Sequence, residues 1–296
     1  MKRVAIIGVG LIGGSFGLAL KKHKLATRVA GTGGAGHSGS TKRALELGAI
    51  DEACESVEAA VSGADLVFIS TPVLAIFDLL ERVQAAAPAG AVVTDAGSTK
   101  EMICERASAV FKAGGPLFIG GHPMAGKEQR GVDAATPDLF AGATWALTPW
   151  HRDDLATPAA RAFQDAITAI GARLLVLDAA VHDEIVAWTS HLPQLTSTAL
   201  AAALGDGLED AADLRLAGTG LRDTTRLAGS SYRVWRDICL TNHENITEAL
   251  GALIERLEEV RDGLKSRDLE KLFHSAQQMR ASLESAAPER EAGNKD

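Results

Sequence analysis

Three observations predict an α/β protein with a mostly parallel sheet followed by an all-helical part. Short β-branched runs alternate with helical stretches over the first 178 residues, a glycine-rich turn follows the first run directly, and the strand signal stops after Asp178. Val4 to Ile7 has the length of a buried strand, and Leu11 to His23 has the pattern of a helix behind it. Val29 to Gly31, Leu66 to Ile69, Val92 to Thr94, Leu117 to Ile119, Trp145 to Leu147 and Leu174 to Val176 follow as further strands. Their apolar runs are continuous rather than alternating, as in strands covered on both faces.

Beyond Asp178 the periodicity is helical. Val181 to Leu204 reads as one helix with a kink at Pro193, because proline removes an N–H donor and crowds the preceding turn. Leu250, Leu253, Ile254, Leu257, Val260 and Leu264 recur at three and four residues, and Leu269 to Met279 resumes the pattern after Ser266. Those stripes are more apolar than a lone surface helix needs, so they predict packing against a second copy, a homodimer. The expected division is a dinucleotide-binding domain at 1–178, a helical substrate and dimerisation domain at 179–286, and a disordered tail at 287–296.

Composition removes several classes. With 46% apolar and 23% charged residues the chain is neither disordered nor fibrous. No run reaches the roughly 18 uncharged apolar residues of a membrane span, and glycines break the N-terminal apolar run too often for a signal peptide. A net charge of −8 disfavours nucleic acid and anionic membrane as partners. Cys54, Cys104 and Cys239 are odd in number and far apart, which fits a reducing, cytoplasmic setting. Nothing has the Cys/His spacing of a zinc site.

Gly8-Val9-Gly10-Leu11-Ile12-Gly13 is a G-x-G-x-x-G between a strand and a helix, which makes the N-terminal part Rossmann-like. Gly8 serves the tight turn, Gly10 lets a pyrophosphate approach the backbone, and Gly13 allows close helix–strand packing. An NAD site wants a carboxylate at the end of the second strand, about 20 residues on. Here Gly31-Thr32-Gly33-Gly34 and a glycine loop occupy that place. Without repulsion of a 2′-phosphate, Ser38, Thr41 or Lys42 is a candidate to bind one, so NAD and NADP both stand as cofactors.

A second cluster sits at later strand ends. Asp95-Ala96-Gly97-Ser98-Thr99-Lys100 and Gly120-Gly121-His122-Pro123-Met124-Ala125-Gly126 follow the fourth and fifth predicted strands; Ser190-His191-Leu192-Pro193-Gln194 and Arg222-Asp223-Thr224-Thr225-Arg226 lie in the helical part. With Ser70-Thr71-Pro72 and the glycine turn, these pieces occur in one order over roughly residues 3–280, and so the sequence resembles the prephenate and arogenate dehydrogenases of tyrosine biosynthesis. That resemblance implies oxidation of a cyclohexadienol carrying a ring carboxylate, hydride leaving for a nicotinamide and CO₂ being lost as the ring becomes aromatic.

By the same resemblance His122 is the base that accepts the hydroxyl proton, and Ser98 hydrogen-bonds both that hydroxyl and His122. Arg226 holds the ring carboxylate, His191 lines the substrate pocket, and Thr71 and Pro72 border the cofactor beside Leu11 and Ile12. Arg222, Arg226 and Ser230 are four apart, so a continuous helix would put them on one face, with Asp223 the natural partner to orient Arg226. Many prephenate-using relatives carry a second histidine where this chain has Gln194, which by the same resemblance binds substrate and can still donate to its side-chain carboxyl or keto group, so the choice between prephenate and arogenate stays open. Neither a mutase segment before residue 1 nor an added regulatory domain after residue 296 is expected, so inhibition by tyrosine would act at the active site. Other dehydrogenases with a Rossmann and a helical domain share the glycine turn but have no reason to carry HPMAG with RDTTR.

Overall fold

The computed structural model describes residues 1–33, 38–127, 129–208, 210–266 and 269–286, with the side chains of Ser38, Ala211 and Ala286 excluded. The 287–296 tail and Glu128 lie outside the described residues. Strands β1 (Arg3–Ile7), β2 (Arg28–Thr32), β3 (Glu52–Ala53), β4 (Leu66–Ile69), β5 (Val92–Asp95), β6 (Leu117–Pro123), β7 (Thr144–Thr148) and β8 (Arg173–Val176) form one sheet in the order β3-β2-β1-β4-β5-β6-β7-β8. All neighbours run parallel except β6 and β7. Strand order reverses at β1, which lies between β2 and β4, and open α/β sheets bind ligands outside the strand ends at such a point.

Both faces of the sheet are covered, as the continuous apolar runs require. Leu66 and Phe68 of β4 enter one core with Phe16, Phe140, Trp145 and Phe163; Val67 and Ile69 enter the other with Ile76, Leu80, Ile103 and Phe118. The aromatic rings of the first core lie 4.6–6.4 Å apart in tilted and edge-on pairs, the arrangement their quadrupoles favour. Helices α1 (Leu11–Lys22), α2 (Ser38–Glu46), α3 (Val57–Val61), α4 (Val73–Ala86), α5 (Glu101–Val110) and α6 (Pro158–Ala169) form the layers.

Two departures from the sequence expectations bear on function. The edge strand β3 is two residues long and half polar, too short to read as a strand. More importantly, β6 runs on through Pro123, so His122 lies within a strand rather than after one. Antiparallel β7 causes this by pairing His122 with Ala146 and Pro123 with Trp145. Gly121 permits the close fit, since a Cβ there would meet the Asp95 carbonyl oxygen at 2.6 Å.

Past β8 the described chain is helical: α7 (Ala179–Val186), a π-helical turn (Ala187–His191), α8 (Leu192–Gly207), α9 (Thr219–Thr225), a 3₁₀ turn (Arg226–Gly229), α10 (Tyr232–Thr241), α11 (His243–Gly263) and α12 (Leu269–Ala286). The break in the predicted long helix thus precedes Pro193, which sits in the first turn of α8 where its missing N–H costs little. Met1–Ile246 form one compact unit and Thr247–Asp296 a second. Within the second, Ile254, Leu257, Leu264, Phe273 and Met279 are exposed on the single chain.

Candidate active site

The glycine turn has the geometry of a dinucleotide cradle. Gly8 has φ +96°, a left-handed conformation that disfavours side chains, and a Cβ at Gly13 would meet the Gly8 carbonyl oxygen at 2.2 Å. A Cβ at Gly10, by contrast, would meet nothing within 4 Å, so the backbone there faces open space. α1 begins at Gly10 with no side-chain cap and no acidic residue in its first turn, which leaves its N–H groups and positive dipole end for phosphate. The Ser70 hydroxyl donates to the Gly8 carbonyl at 2.6 Å and ties β4 to the turn. Beside it the Thr71 hydroxyl is buried with no hydrogen-bond partner among the described residues, a polar group suited to a ligand. These features fit a bound dinucleotide held by Gly8, Gly10, Leu11, Ile12, Gly13 and Thr71.

Gly33 follows β2, and no carboxylate occupies the ribose-reading place. Arg43 is committed elsewhere, to Asp133 at 2.7 Å and Glu46 at 3.2 Å. Lys42 is exposed on α2, whereas residues 34–37 and the Ser38 side chain lie outside the described residues.

His122 is 8% exposed. Its Nδ1 lies 2.9 Å from His182 Nε2, and His182 Nδ1 lies 2.8 Å from Asp183 Oδ1. Asp183 in turn accepts the Lys100 N–H at 2.7 Å and the Glu101 N–H at 3.0 Å, capping α5 from 82 or more residues away. Ser98 makes no hydrogen bond with His122 among the described residues; it lines a cleft of about 200 Å³ with Thr71, Pro72 and Gly97. Burial pushes the His122 imidazole well below its ordinary pKa, and His182, Lys100 and His191 add to the shift.

Asp95 joins the main chains that carry these two side chains. Its Oδ2 accepts the Gly97 N–H at 2.7 Å, its Oδ1 accepts the Gly121 N–H at 3.1 Å, and Lys100 Nζ pairs with it in full burial. The residues quoted from the sequence in one cluster are thus a single scaffold, in which Asp95 and Lys100 are fully buried and line neither the cleft of Ser98 nor that of Arg226.

Arg226 and Ser230 line a larger cleft of about 430 Å³, bordered also by Leu11, Lys127, Arg130 and Trp235. Ile12 and Val234 line both clefts. The continuous helix expected from Arg222 to Ser230 is not formed. α9 ends at Thr225 and a tighter turn carries Arg226, so Arg222 does not share the cleft, and exposed Asp223 makes no ion pair with Arg226 among the described residues. Gln194 does a different task from the one expected. Its amide donates to the Leu227 carbonyl at 2.7 Å and to Thr198 at 3.2 Å, and its oxygen accepts the Ser230 hydroxyl at 3.0 Å. Gln194 holds the turn that presents Arg226.

His191 is buried rather than in either cleft. Its Nδ1 lies 3.2 Å from the Asn242 amide, its ring stands edge-on to Trp235 at 5.8 Å, and burial lowers its pKa to about 4. Asn242 also donates to the Asp183 carbonyl at 2.8 Å, so His191 supports the same cluster from behind.

Two family models match the chain: the nucleotide-binding domain of prephenate dehydrogenase over residues 16–176, and the prephenate dehydrogenase dimerization domain over residues 178–278. A prephenate dehydrogenase of Bacillus subtilis is 33% identical over 276 residues, 91% of this chain and 72% of that one. A cyclohexadienyl dehydrogenase of Zymomonas mobilis is 32% identical over 290 residues, covering 95% and 96% of the two chains. Among solved structures, prephenate dehydrogenase from Aquifex aeolicus in complex with hydroxyphenyl propionate and NAD+ matches with a TM-score of 0.84 at 27% identity, over 96% of this chain and 98% of that one.

Proposed function

The chain belongs to the prephenate dehydrogenase family, and from that premise we infer that it oxidises prephenate to 4-hydroxyphenylpyruvate with loss of CO₂, using NAD or NADP. The observation that carries the assignment of roles is His122, a buried imidazole near the end of β6 with Nδ1 engaged by His182 and Nε2 without a hydrogen bond among the described residues. A bound dinucleotide supplies the hydride acceptor. The chain's own work is to position the ring, exclude water and accept the hydroxyl proton at His122 Nε2. Ser98 supports that hydroxyl. Aromatisation makes the step downhill, so placement and one proton transfer suffice.

Arg226 takes the ring carboxylate through its planar fork. Lys127 and Arg130 line the same cleft and serve the side-chain carboxylate. Three cations suit prephenate, a dianion, better than arogenate, whose ammonium they repel. Assay of the purified protein with both substrates, crossed with both cofactors, is expected to show a higher kcat/KM for prephenate. Failure to turn over prephenate with either cofactor would overturn the assignment.

The enzyme acts as a homodimer through its dimerization domain, and the exposed stripes of α11 and α12 are the apolar surface it offers a second copy. Its three cysteines are free thiols, in keeping with the cytoplasm.

The missing ribose carboxylate has a measurable consequence. A charge-assisted hydrogen bond contributes about 1.5–3 kcal/mol, and here that preference for NAD is absent. NADP is expected to reach a kcat/KM within about tenfold of NAD or above it, and Gly33→Asp to move the ratio about tenfold or more toward NAD. A wild-type preference for NAD of roughly a hundredfold or more would show that another group does the acid's work.

A further inference from the structure

Burial keeps His122 unprotonated and therefore always ready, yet the same burial makes it a poor proton acceptor. What lies behind the imidazole addresses that weakness. His182 faces it edge-on, with ring centroids 5.1 Å apart, and Asp183 stands at the far nitrogen of His182. Both residues are at most 2% exposed.

With both imidazoles neutral, the hydrogen-bond pattern permits one arrangement of protons. Asp183 Oδ1 and Oδ2 each accept a backbone N–H from the start of α5, a place that favours an anion, so the side chain is a carboxylate. The His182 nitrogen beside it, Nδ1, must then be the protonated one, which leaves Nε2 of His182 with a lone pair. The contact at 2.9 Å therefore requires the proton on His122 Nδ1. His122 Nε2 is left unprotonated, the form a base needs.

We propose that His182 and Asp183 are positioning residues for the base, forming with His122 a buried relay that fixes its tautomer and shares its charge during turnover. The inference rests on the dehydrogenase reading above. As the carbinol hydride leaves for the nicotinamide, the hydroxyl proton moves to His122 Nε2. The resulting imidazolium shares its Nδ1 proton with His182 Nε2, and Asp183 balances the charge. Loss of CO₂ returns the C–C bonding pair to the ring and its oxygen, and that phenolate oxygen takes the proton back from His122 Nε2. Hydride, CO₂ and phenol account for every atom and electron, with no proton gained or lost overall.

His182→Asn separates this role from a structural one, because the Asn amide can still donate to Asp183 while nothing remains to accept from His122. Nitrogen NMR of the histidine side chains in the substrate-free protein should show His122 with a protonated Nδ1 and a bare Nε2 in the wild type. In His182→Asn the two forms should mix. The variant should lose about 10–100-fold in kcat with KM within about threefold, and His182→Gln, which restores an acceptor near the Nε2 position, should recover part of the loss. A wild-type His122 with its proton on Nε2, or a folded His182→Asn of unchanged kcat, would overturn the proposal. The NMR readout needs no substrate, so it still decides on the relay should prephenate prove not to be the substrate.

Discussion

His122→Asn is expected to lower kcat by about 10²–10⁴, the usual range for loss of a general base, while KM stays within a few-fold. Asparagine is the informative replacement because its amide reaches about as far as the imidazole Nδ1. Contact with His182 can persist, and only the ring carbon and Nε2 are removed. The change sits in a strand position paired with Ala146, so the backbone is held by the sheet whatever the side chain. A kcat within about threefold of wild type would remove His122 from the chemistry. The acid side of the pH profile checks the same assignment. Since burial holds this imidazole well below its ordinary pKa, it stays unprotonated as pH falls through 6.5. Wild-type kcat/KM should therefore remain level through that value and decline only in stronger acid. An acid limb centred near 6.5 would point to an exposed histidine as the base.

Arg226→Ala is expected to raise KM by about 30-fold or more, on the scale of the roughly 2 kcal/mol of a charge-assisted hydrogen-bonded contact to a carboxylate. Arg226→Lys should recover only part of this, because an ammonium cannot match both oxygens of a carboxylate at once. Unchanged KM in both variants would assign the ring carboxylate to Lys127 or Arg130, the other cations of the cleft. Arg222 is not a substitute, since the change of helix type at Arg226 turns the two arginines apart in role.

The comparison between sequence and structure divides along the range of the interactions. Strands β1, β2 and β4 to β8 and the glycine turn are legible because a run of three or four mainly apolar residues, or a G-x-G-x-x-G, is a local signal. β3 carries no such signal. The register that puts His122 inside β6 comes from antiparallel β7, more than 20 residues away, and no local pattern announces it. Asp183 and His182 stand openly in the sequence, but their roles depend on partners some 60 to 80 residues distant. The place of Gln194 beside a histidine segment points to a substrate ligand. Its amide is in fact spent on Leu227, Thr198 and Ser230, and only the folded turn at Arg226 could reveal that. Ser98 likewise keeps its place at the cleft, while the hydrogen bond expected to His122 is not formed among the described residues.

The helix caps at the centre of the molecule decide how it can move. Asp183 closes the start of α5, and Asp237 on α10 accepts the Leu74 N–H at 3.3 Å in the first turn of α4. The Thr99 and Thr241 hydroxyls meet at 2.7 Å between them. Each bond joins the nucleotide-binding segment to residues past 178, the place where sequence and family models draw a boundary. A swing hinged at that boundary would leave two helix starts uncapped, at about 1 kcal/mol each, and would strand a buried aspartate without its donors. It would also pull His182 away from His122. Parting the two halves at that boundary would break buried hydrogen bonds at both helix starts and in the His122 cluster together, so the segment before residue 178 and the helices after it share one set of buried polar contacts.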